Sequence, residues 1–155
     1  MNVPAVSKRT FEKLKNDPMM TGIIAEVLDQ LKRMTGHFAR ARFVHRLIDQ
    51  YNQEVFTHPT VQKMISCQKG CGACCHTQVS VTEDEAILLA ERIRQGVQID
   101  FNRLTVQKNA ENNSAEFYKI PYNVRKCVFL DEQNSCSVYE DRPSVCRTNA
   151  VIGGA

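Results

Sequence analysis

The sequence lacks both long hydrophobic runs and export signals. Its longest uninterrupted apolar segment is residues 86–90, whereas a helix that spans a bilayer needs about 20 residues. Residues 1–18 contain no apolar stretch followed by a small-residue cleavage site, so they do not resemble a signal peptide. From these absences we expect a cytoplasmic protein that has no membrane-spanning helix and does not act at a membrane.

Strong charge of either sign is also missing, since the net charge is only +3. Residues 1–66 carry ten Lys or Arg against six Asp or Glu, and residues 67–155 carry ten against eleven. A solvated helix face explains the weakly basic first part more simply than an acidic partner does. No basic run is interleaved with aromatic residues as single-stranded nucleic acid requires, so we expect a protein or redox partner rather than nucleic acid.

Seven cysteines are present, and a cytoplasmic location makes them unusual. Disulfides are rarely structural in the reducing cytosol. An odd number of cysteines argues further against a closed disulfide framework. Metal ligation is the remaining common use of cysteine in such a protein.

The spacing of the cysteines is typical of a metal site. They form two groups, Cys67-x3-Cys71-x2-Cys74-Cys75 and Cys127-x8-Cys136-x9-Cys146. A tetrahedral thiolate site needs several sulfurs at about 2.3 Å from one zinc ion, so the loop that carries them must turn tightly. Gly70 and Gly72 allow such a turn, and Lys69 favours thiolate over thiol. We therefore expect all seven cysteines to serve as metal ligands.

The adjacent Cys74 and Cys75 limit how the ligands are shared. Side chains of neighbouring residues diverge, so these two thiols are not expected to bind a single metal ion together. One would complete the site in the loop. The other would turn toward Cys127, Cys136 or Cys146 and so join the two groups.

Two ligand counts are open. One [4Fe–4S] cluster needs four thiolates and leaves three cysteines spare. Two zinc ions need eight ligands, which the seven cysteines and His76 supply. His76 could equally be a surface residue, and Cys127, beside Val128 and Phe129, could be a buried apolar residue. Burial alone does not explain four cysteines within residues 67–75.

The spacing Cys67-x3-Cys71-x2-Cys74 is also that of the radical S-adenosylmethionine enzymes. Those proteins build a large α/β barrel after the motif, whereas only 81 residues follow Cys74 here, without alternating strands and helices. That family usually carries an aromatic residue at the position of Ala73. Both differences argue against this class of enzyme.

Outside the cysteine groups, the hydrophobic periodicity predicts helices. Asp17-Pro18 begins a helix that Gly36 ends, and a second helix runs from there to His58-Pro59. We expect the two to form an N-terminal helical hairpin, residues 1–66. This hairpin would pack on a cysteine-cluster metal-binding domain, residues 67–155, to give one compact unit.

Shorter elements are expected in the second half. Residues 82–85, Thr-Glu-Asp-Glu, form a capping box at a helix start, and a weaker helical pattern covers residues 101–111. Residues 128–130 and 137–139, separated by a polar turn, predict a short β-hairpin. The expected fold is mainly α with a small β-hairpin, a compact domain organised around a Cys-ligated metal site.

Several blocks of residues match a known pattern in order. They are Cys67, Cys71, Gly72, Cys74 and Cys75, then Cys127-Val128-Phe129-Leu130, Cys136-Ser137-Val138-Tyr139-Glu140, Arg142-Pro143 and Cys146-Arg147. In these blocks, over about residues 65–148, the sequence resembles the zinc- or iron-chelating YkgJ-like cysteine-cluster family of small bacterial proteins. The resemblance implies a bound iron–sulfur cluster or zinc. Members often carry one more cysteine beyond the Cys-Arg block, so this chain either lacks that ligand or is a fragment.

Three functions follow as expectations. The first is a protein that holds a [4Fe–4S] cluster for a redox or metal-dependent role. The alternatives are a structural or interaction domain stabilised by Zn²⁺, and a cluster-dependent enzyme, since the related flagellin lysine methylases carry a similar cysteine cluster. No glycine-rich nucleotide loop and no Ser/His/Asp grouping identifies catalytic residues. Arg142 and Arg147 either donate hydrogen bonds to thiolate sulfur or fix the turn that carries Cys146.

Overall fold

The structure is a computed structural model that describes residues 12–66, 70–110 and 114–149. The chain divides into two units, of which the first ends at Gly36 and the second begins at His37. The expected packing of residues 1–66 on residues 67–155 stays a prediction.

The first unit contains helix α1, Pro18–Arg33. The Asp17 carboxylate caps it by accepting hydrogen bonds from the amides of Met19 and Met20, at 2.9 and 3.1 Å. Pro18 is tolerated because the first helical turn has no intrahelical use for its missing N–H. The cap predicted from Asp17-Pro18 is therefore confirmed.

The second unit is built from one long helix and several short ones. The helices are α2 His37–Phe56, α3 Pro59–Gln62, α4 Glu83–Arg94, α5 Phe101–Lys108, α6 Ser114–Lys119 and α7 Ser144–Thr148, with 3₁₀ turns at Ala73–His76 and Tyr139–Asp141. Within the described ranges, none of these helices is both long enough and apolar enough to cross a membrane.

Helix α4 begins at the capping box that the sequence predicts. The Glu85 amide donates to the Thr82 hydroxyl at 3.3 Å, and the Thr82 amide donates to the Glu85 carboxylate at 2.9 Å. Helix α5 ends at Lys108, earlier than the predicted end at Glu111, and Glu111 lies outside the described residues.

The core of the second unit lies where α2 packs against α4 and α7. Its apolar members include Ala41 on α2 and Leu88 on α4, which is 1% exposed. Four polar or charged side chains are buried as deeply as these apolar ones: His45, Glu85, Asp141 and Arg147. The interior therefore depends on ion pairs as well as on apolar burial.

The predicted β-hairpin is wrong. In the part of the chain that the structure describes there is no strand, and residues 127–139 form only an isolated bridge between Leu130 and Cys136. The Leu130 amide donates back to the Cys127 carbonyl at 3.1 Å, and the Cys127 amide donates out of the segment to the Cys75 carbonyl at 2.7 Å. Because turns and a contact between loops use these donors, no ladder can extend beyond the single bridge.

The turn between the two halves of this segment is tight. Asn134 adopts a positive φ of 56°, which asparagine tolerates better than most residues, and the Ser135 amide donates to the Asp131 carboxylate at 2.7 Å. Tyr139, which we expected in a strand, begins a 3₁₀ turn instead. The fold over the described residues is thus mainly α without a hairpin.

Candidate metal centre

The first cysteine loop is shaped by its glycines and lies against the second group. Gly70 has a φ of +85°, a conformation that residues with a Cβ rarely adopt. A Cβ on Gly72 would lie 3.1 Å from Cδ2 of Leu130, so a larger residue there would require the Leu130 side chain to shift by a few tenths of an ångström. Cys67 falls outside the described residues, and its place relative to this loop stays a prediction.

A direct backbone contact joins the two cysteine groups. The hydrogen bond from the Cys127 amide to the Cys75 carbonyl, at 2.7 Å, connects residues that 51 others separate in the sequence. The six described cysteines are all free thiols and all partly buried. The expectation that the two groups meet is thus consistent with the backbone geometry.

Cysteine side chains from separate segments lie within electrostatic range of one another. Burial, followed by the neighbouring Cys74 and Cys127 thiols, raises the pKa of Cys75 to about 12. Burial, followed by Cys127 and Cys136, raises the pKa of Cys146 to about 11. A cation that replaced the thiol protons would remove this mutual repulsion.

Backbone amides in the second group point at two of the sulfurs. Burial raises the pKa of both Cys127 and Cys136, whereas hydrogen bonds from the amides of Phe129 and Val138, respectively, oppose the rise. Such N–H donors stabilise the thiolate form that a metal requires.

The donor set fits a thiophilic metal, although the side chains do not form a closed single-ion site. Thiolates are the ligands that zinc and iron–sulfur clusters take in proteins. Among the described residues, no three Cys, His, Asp or Glu side chains are placed so as to hold one ion. The chemistry of the thiols therefore suits these metals.

Comparison with family models gives one match. The family described as "Putative zinc- or iron-chelating domain", with the cysteine pattern CxxCxxCC, matches residues 66–152. The chain belongs to this family. The match covers nearly the same residues as the likeness found in the sequence, and it confirms that likeness. No curated protein and no solved structure matches the chain.

This zinc- or iron-chelating domain departs from its family pattern at one interval. The pattern places two residues between the first and second cysteines, whereas three separate Cys67 from Cys71. The later intervals agree, with two residues between Cys71 and Cys74 and none between Cys74 and Cys75. The additional residue falls in the segment that ends at Gly70.

His76 in this domain has one ring nitrogen directed at the backbone. Its Nδ1 lies 3.0 Å from the Gly72 carbonyl, which can only accept, so Nδ1 carries the proton and Nε2 has the free lone pair. The ring stacks on Tyr122 with centroids 4.2 Å apart. Metal-binding histidines commonly show this bond to a carbonyl, but ligation by His76 stays a prediction.

Arg147, directly after Cys146, belongs to the buried ion network, which we define as His45, Glu85, Asp141 and Arg147. Its Nη1 donates to the Asp49 carboxylate at 2.5 Å, and its Nε donates to the Arg142 carbonyl at 2.9 Å. Its Nη2 donates to the carbonyl of Glu140 and lies 3.3 Å from Nδ1 of His45. These bonds fix the segment that carries Cys146.

Glu85 connects the starts of two helices in this network. Besides Thr82, its carboxylate accepts hydrogen bonds from the amide and hydroxyl of Ser144, the first residue of α7, both at 2.6 Å. Burial opposes the charge, but the bonds from Ser144 and Thr82 outweigh it and lower the pKa of Glu85 to about 2. The carboxylate is therefore ionised at neutral pH.

The tautomer of His45 follows from its neighbours. Because Arg147 can only donate, Nδ1 of His45 accepts, and Nε2–H donates to Glu85 at 3.1 Å. Burial lowers the pKa of His45, since the bond to Glu85 only partly offsets it. His45 is thus a neutral bridge between an arginine and a carboxylate.

Sequence reasoning missed this network. Neither His45, Glu85 nor Asp141 was among the candidate site residues. Asp141 accepts from Arg42 and Arg92, at 3.2 and 2.5 Å. The sequence carried no signal for these pairs, because the partners lie far apart along the chain.

Proposed function

We propose that this domain holds a [4Fe–4S] cluster on cysteines of both groups and uses it in a redox role with a partner protein. Zinc or iron chelation is the property that its family description gives. When bound, such a cluster accepts or donates one electron. The protein would supply the thiolates, the amide donors and the partly buried surroundings.

The contact between the two cysteine groups carries the proposal, because the hydrogen bond from the Cys127 amide to the Cys75 carbonyl, at 2.7 Å, brings candidate ligands of both groups together. Four sulfurs around one zinc ion lie about 3.8 Å apart, because each is about 2.3 Å from the centre of a tetrahedron. The described thiols influence one another's pKa, yet no three are placed to hold a single ion. A cluster accepts thiolates that are further apart, because each of them binds a different iron.

Cys127 interacts with cysteines of both groups, as Cys74 and Cys136 also do. Its charge acts on Cys75 and Cys146, and the charges of Cys74 and Cys136 act on it. A ligand set that includes Cys127 would draw on both groups. We also propose the cytoplasm as its compartment, since thiols must stay reduced to act as ligands.

The experiment is anaerobic purification of the chain, followed by metal and sulfide analysis and a visible absorption spectrum. About four irons with equal sulfide per chain would support the proposal. A Cys127→Ser variant should lose the cluster, whereas Val145→Thr, a comparable exchange at an exposed position, should keep it. A colourless, zinc-containing sample that is unchanged by anaerobic reconstitution with iron and sulfide would overturn it.

A zinc-stabilised structural domain is the second candidate, and His76 favours it. The hydrogen bond from Nδ1 to the Gly72 carbonyl leaves Nε2 free to act as a ligand. His76 and seven cysteines together provide the eight ligands that two zinc ions need. About two zinc ions per chain, falling in a His76→Gln variant, would decide for this candidate.

A further inference from the structure

The two arginines near Cys146 use their N–H groups differently. Arg147 is 5% exposed, and its guanidinium donates to Asp49 and to two backbone carbonyls. Arg142 has a buried Nε that finds no hydrogen-bond partner among the described residues. A buried N–H group without an acceptor is unfavourable, so the Nε–H of Arg142 is available as a donor, whereas the Nε–H of Arg147 is already used.

Neighbouring groups hold the Arg142 side chain and backbone in place. Its guanidinium carbon lies 3.9 Å from the centroid of the Tyr139 ring, within the range of a cation–π contact. Its carbonyl accepts the hydrogen bond from Nε of Arg147 at 2.9 Å. Arg147 therefore positions the backbone of Arg142, while Tyr139 supports its charged end.

The charge of Arg142 acts on two of the candidate ligands. Burial raises the pKa of Cys136 and of Cys146, and the positive charge of Arg142 opposes the rise at both. In the chain Arg142 lies between these two cysteines, six residues after Cys136 and four before Cys146. Its guanidinium is thus within electrostatic range of two candidate ligands of the second group.

We propose that Arg142 is a positioning residue of the metal centre, whose Nε–H donates to a sulfur atom of the loaded site and whose charge balances the thiolates. The inference rests on the proposed function, since it needs a metal bound by these cysteines. Charge-assisted N–H donors to ligand atoms stabilise the ligated state, and arginine keeps its charge under all conditions. Arg147 has the supporting role of fixing the backbone.

Arg94 provides a control of equal charge. Its side chain is 66% exposed and pairs with Glu91 on α4. Replacement of Arg94 removes the same positive charge at an exposed position. A difference between variants at the two positions would therefore depend on where the arginine lies.

The experiment compares the metal-loaded wild-type chain with Arg142→Gln, Arg142→Lys and Arg94→Gln, by the rate at which the purified metal centre is lost to excess chelator. We expect loss from Arg142→Gln to be about tenfold faster or more, with Arg94→Gln within about twofold of wild type. Arg142→Lys keeps the charge but has no Nε–H, so its loss should be about threefold faster.

Each outcome bears on the inference. A rate for Arg142→Gln within twofold of wild type would overturn it and leave the proposed function standing. If circular dichroism shows that Arg142→Gln does not fold, Arg142→Lys decides, and a wild-type rate in that variant overturns the inference. A wild-type chain that retains neither iron nor zinc after anaerobic reconstitution would overturn the proposed function and this inference together.

Discussion

The buried ion network and the cysteine segments are two polar regions of the same unit, but only the first is complete in the chain itself. In the network, Glu85 faces the neutral His45 and the helix start at Ser144, and Arg147 faces Asp49. In the cysteine segments, like groups face one another and raise one another's pKa. One region balances its charges internally, whereas the other requires a cation to do so.

The difference indicates how the two regions obtain their stability. Burying charges is unfavourable unless partners and hydrogen bonds compensate, and the network provides both from residues on four segments of the chain. Thiol ligands gain their stabilisation when metal binds, so folding of the loops and metal binding are coupled. We therefore expect the helical part to keep its structure without metal and the loops to lose theirs.

Metal removal should give the largest effect and separate the two regions. On chelation, the Cys127 amide, which donates to Cys75, should exchange with deuterium about 100-fold faster or more. The amides of Leu88 and Leu89 in α4 should change far less, because α4 packs on α2. Hydrogen exchange measured by NMR checks this. Equal acceleration at both places would show that the regions unfold together and would contradict the proposed difference in their dependence on metal.

Loss of Arg147 should destabilise the buried ion network, which metal removal is expected to leave intact. Arg147→Met should lower the free energy of unfolding of the metal-free chain by about 3–5 kcal/mol, because carbonyls and a charged partner lose their buried donor. Arg94→Met, which removes an exposed pair with Glu91, should cost less than about 1 kcal/mol. Urea denaturation followed by circular dichroism measures both. Similar costs for the two variants would mean that the network adds little to stability.

Glycine substitutions should have smaller effects on stability, with opposite signs in the first cysteine loop and in helix α1. Gly70→Ala should destabilise the metal-loaded protein by about 1–2 kcal/mol, because its φ is +85°. Its Cβ would lie an ordinary 3.7 Å from the Gln133 carbonyl, so strain rather than a clash is the cause. Gly22→Ala, inside α1 with nothing within 4 Å, should stabilise that helix by up to about 1 kcal/mol. Thermal melts of both variants test this. Destabilisation by Gly22→Ala would contradict the prediction.

Mild acidification should have the smallest effect and act only on the network. Burial lowers the pKa of His45, so below about pH 6.5 the unfolded chain binds more protons than the native one and stability falls. The groups that face His45 are Glu85, Arg147 and Asp141. We expect a loss below about 1 kcal/mol between pH 7 and pH 6, a window in which Glu85 stays ionised in both states.

The measurement for acidification is urea denaturation of the metal-free chain at both pH values, with His45→Gln beside it. The variant should show a flatter dependence on pH in this window, because glutamine does not titrate. An unchanged slope in His45→Gln would assign the pH dependence to other groups.

Features set by neighbouring residues could be predicted from the sequence. The Asp17 cap and the Thr82–Glu85 capping box both depend on contacts within four residues, and both are present. The family was recognisable because its cysteine spacings are local as well. Hydrogen bonds between neighbouring residues and the spacing of ligands can therefore be recognised in the sequence.

Features that depend on distant partners could not be predicted. The apolar residues around the polar turn suggested a hairpin, but the Cys127 amide is used by Cys75, which the local pattern does not reveal. His45 and Glu85 are 40 residues apart, and Asp49 and Arg147 are 98 apart. The sequence left the roles of Arg142 and Arg147 open, and only their surroundings distinguish them.

Glu85 has a mechanical consequence for the candidate metal centre. One carboxylate oxygen binds at the start of α4 and the other at Ser144, two residues before Cys146. The width of a single carboxylate therefore sets the gap between the two helix starts, and a displacement of α4 carries Cys146 with it. Cys146 is therefore anchored, through the start of α7, to the start of the helix that follows the first cysteine loop.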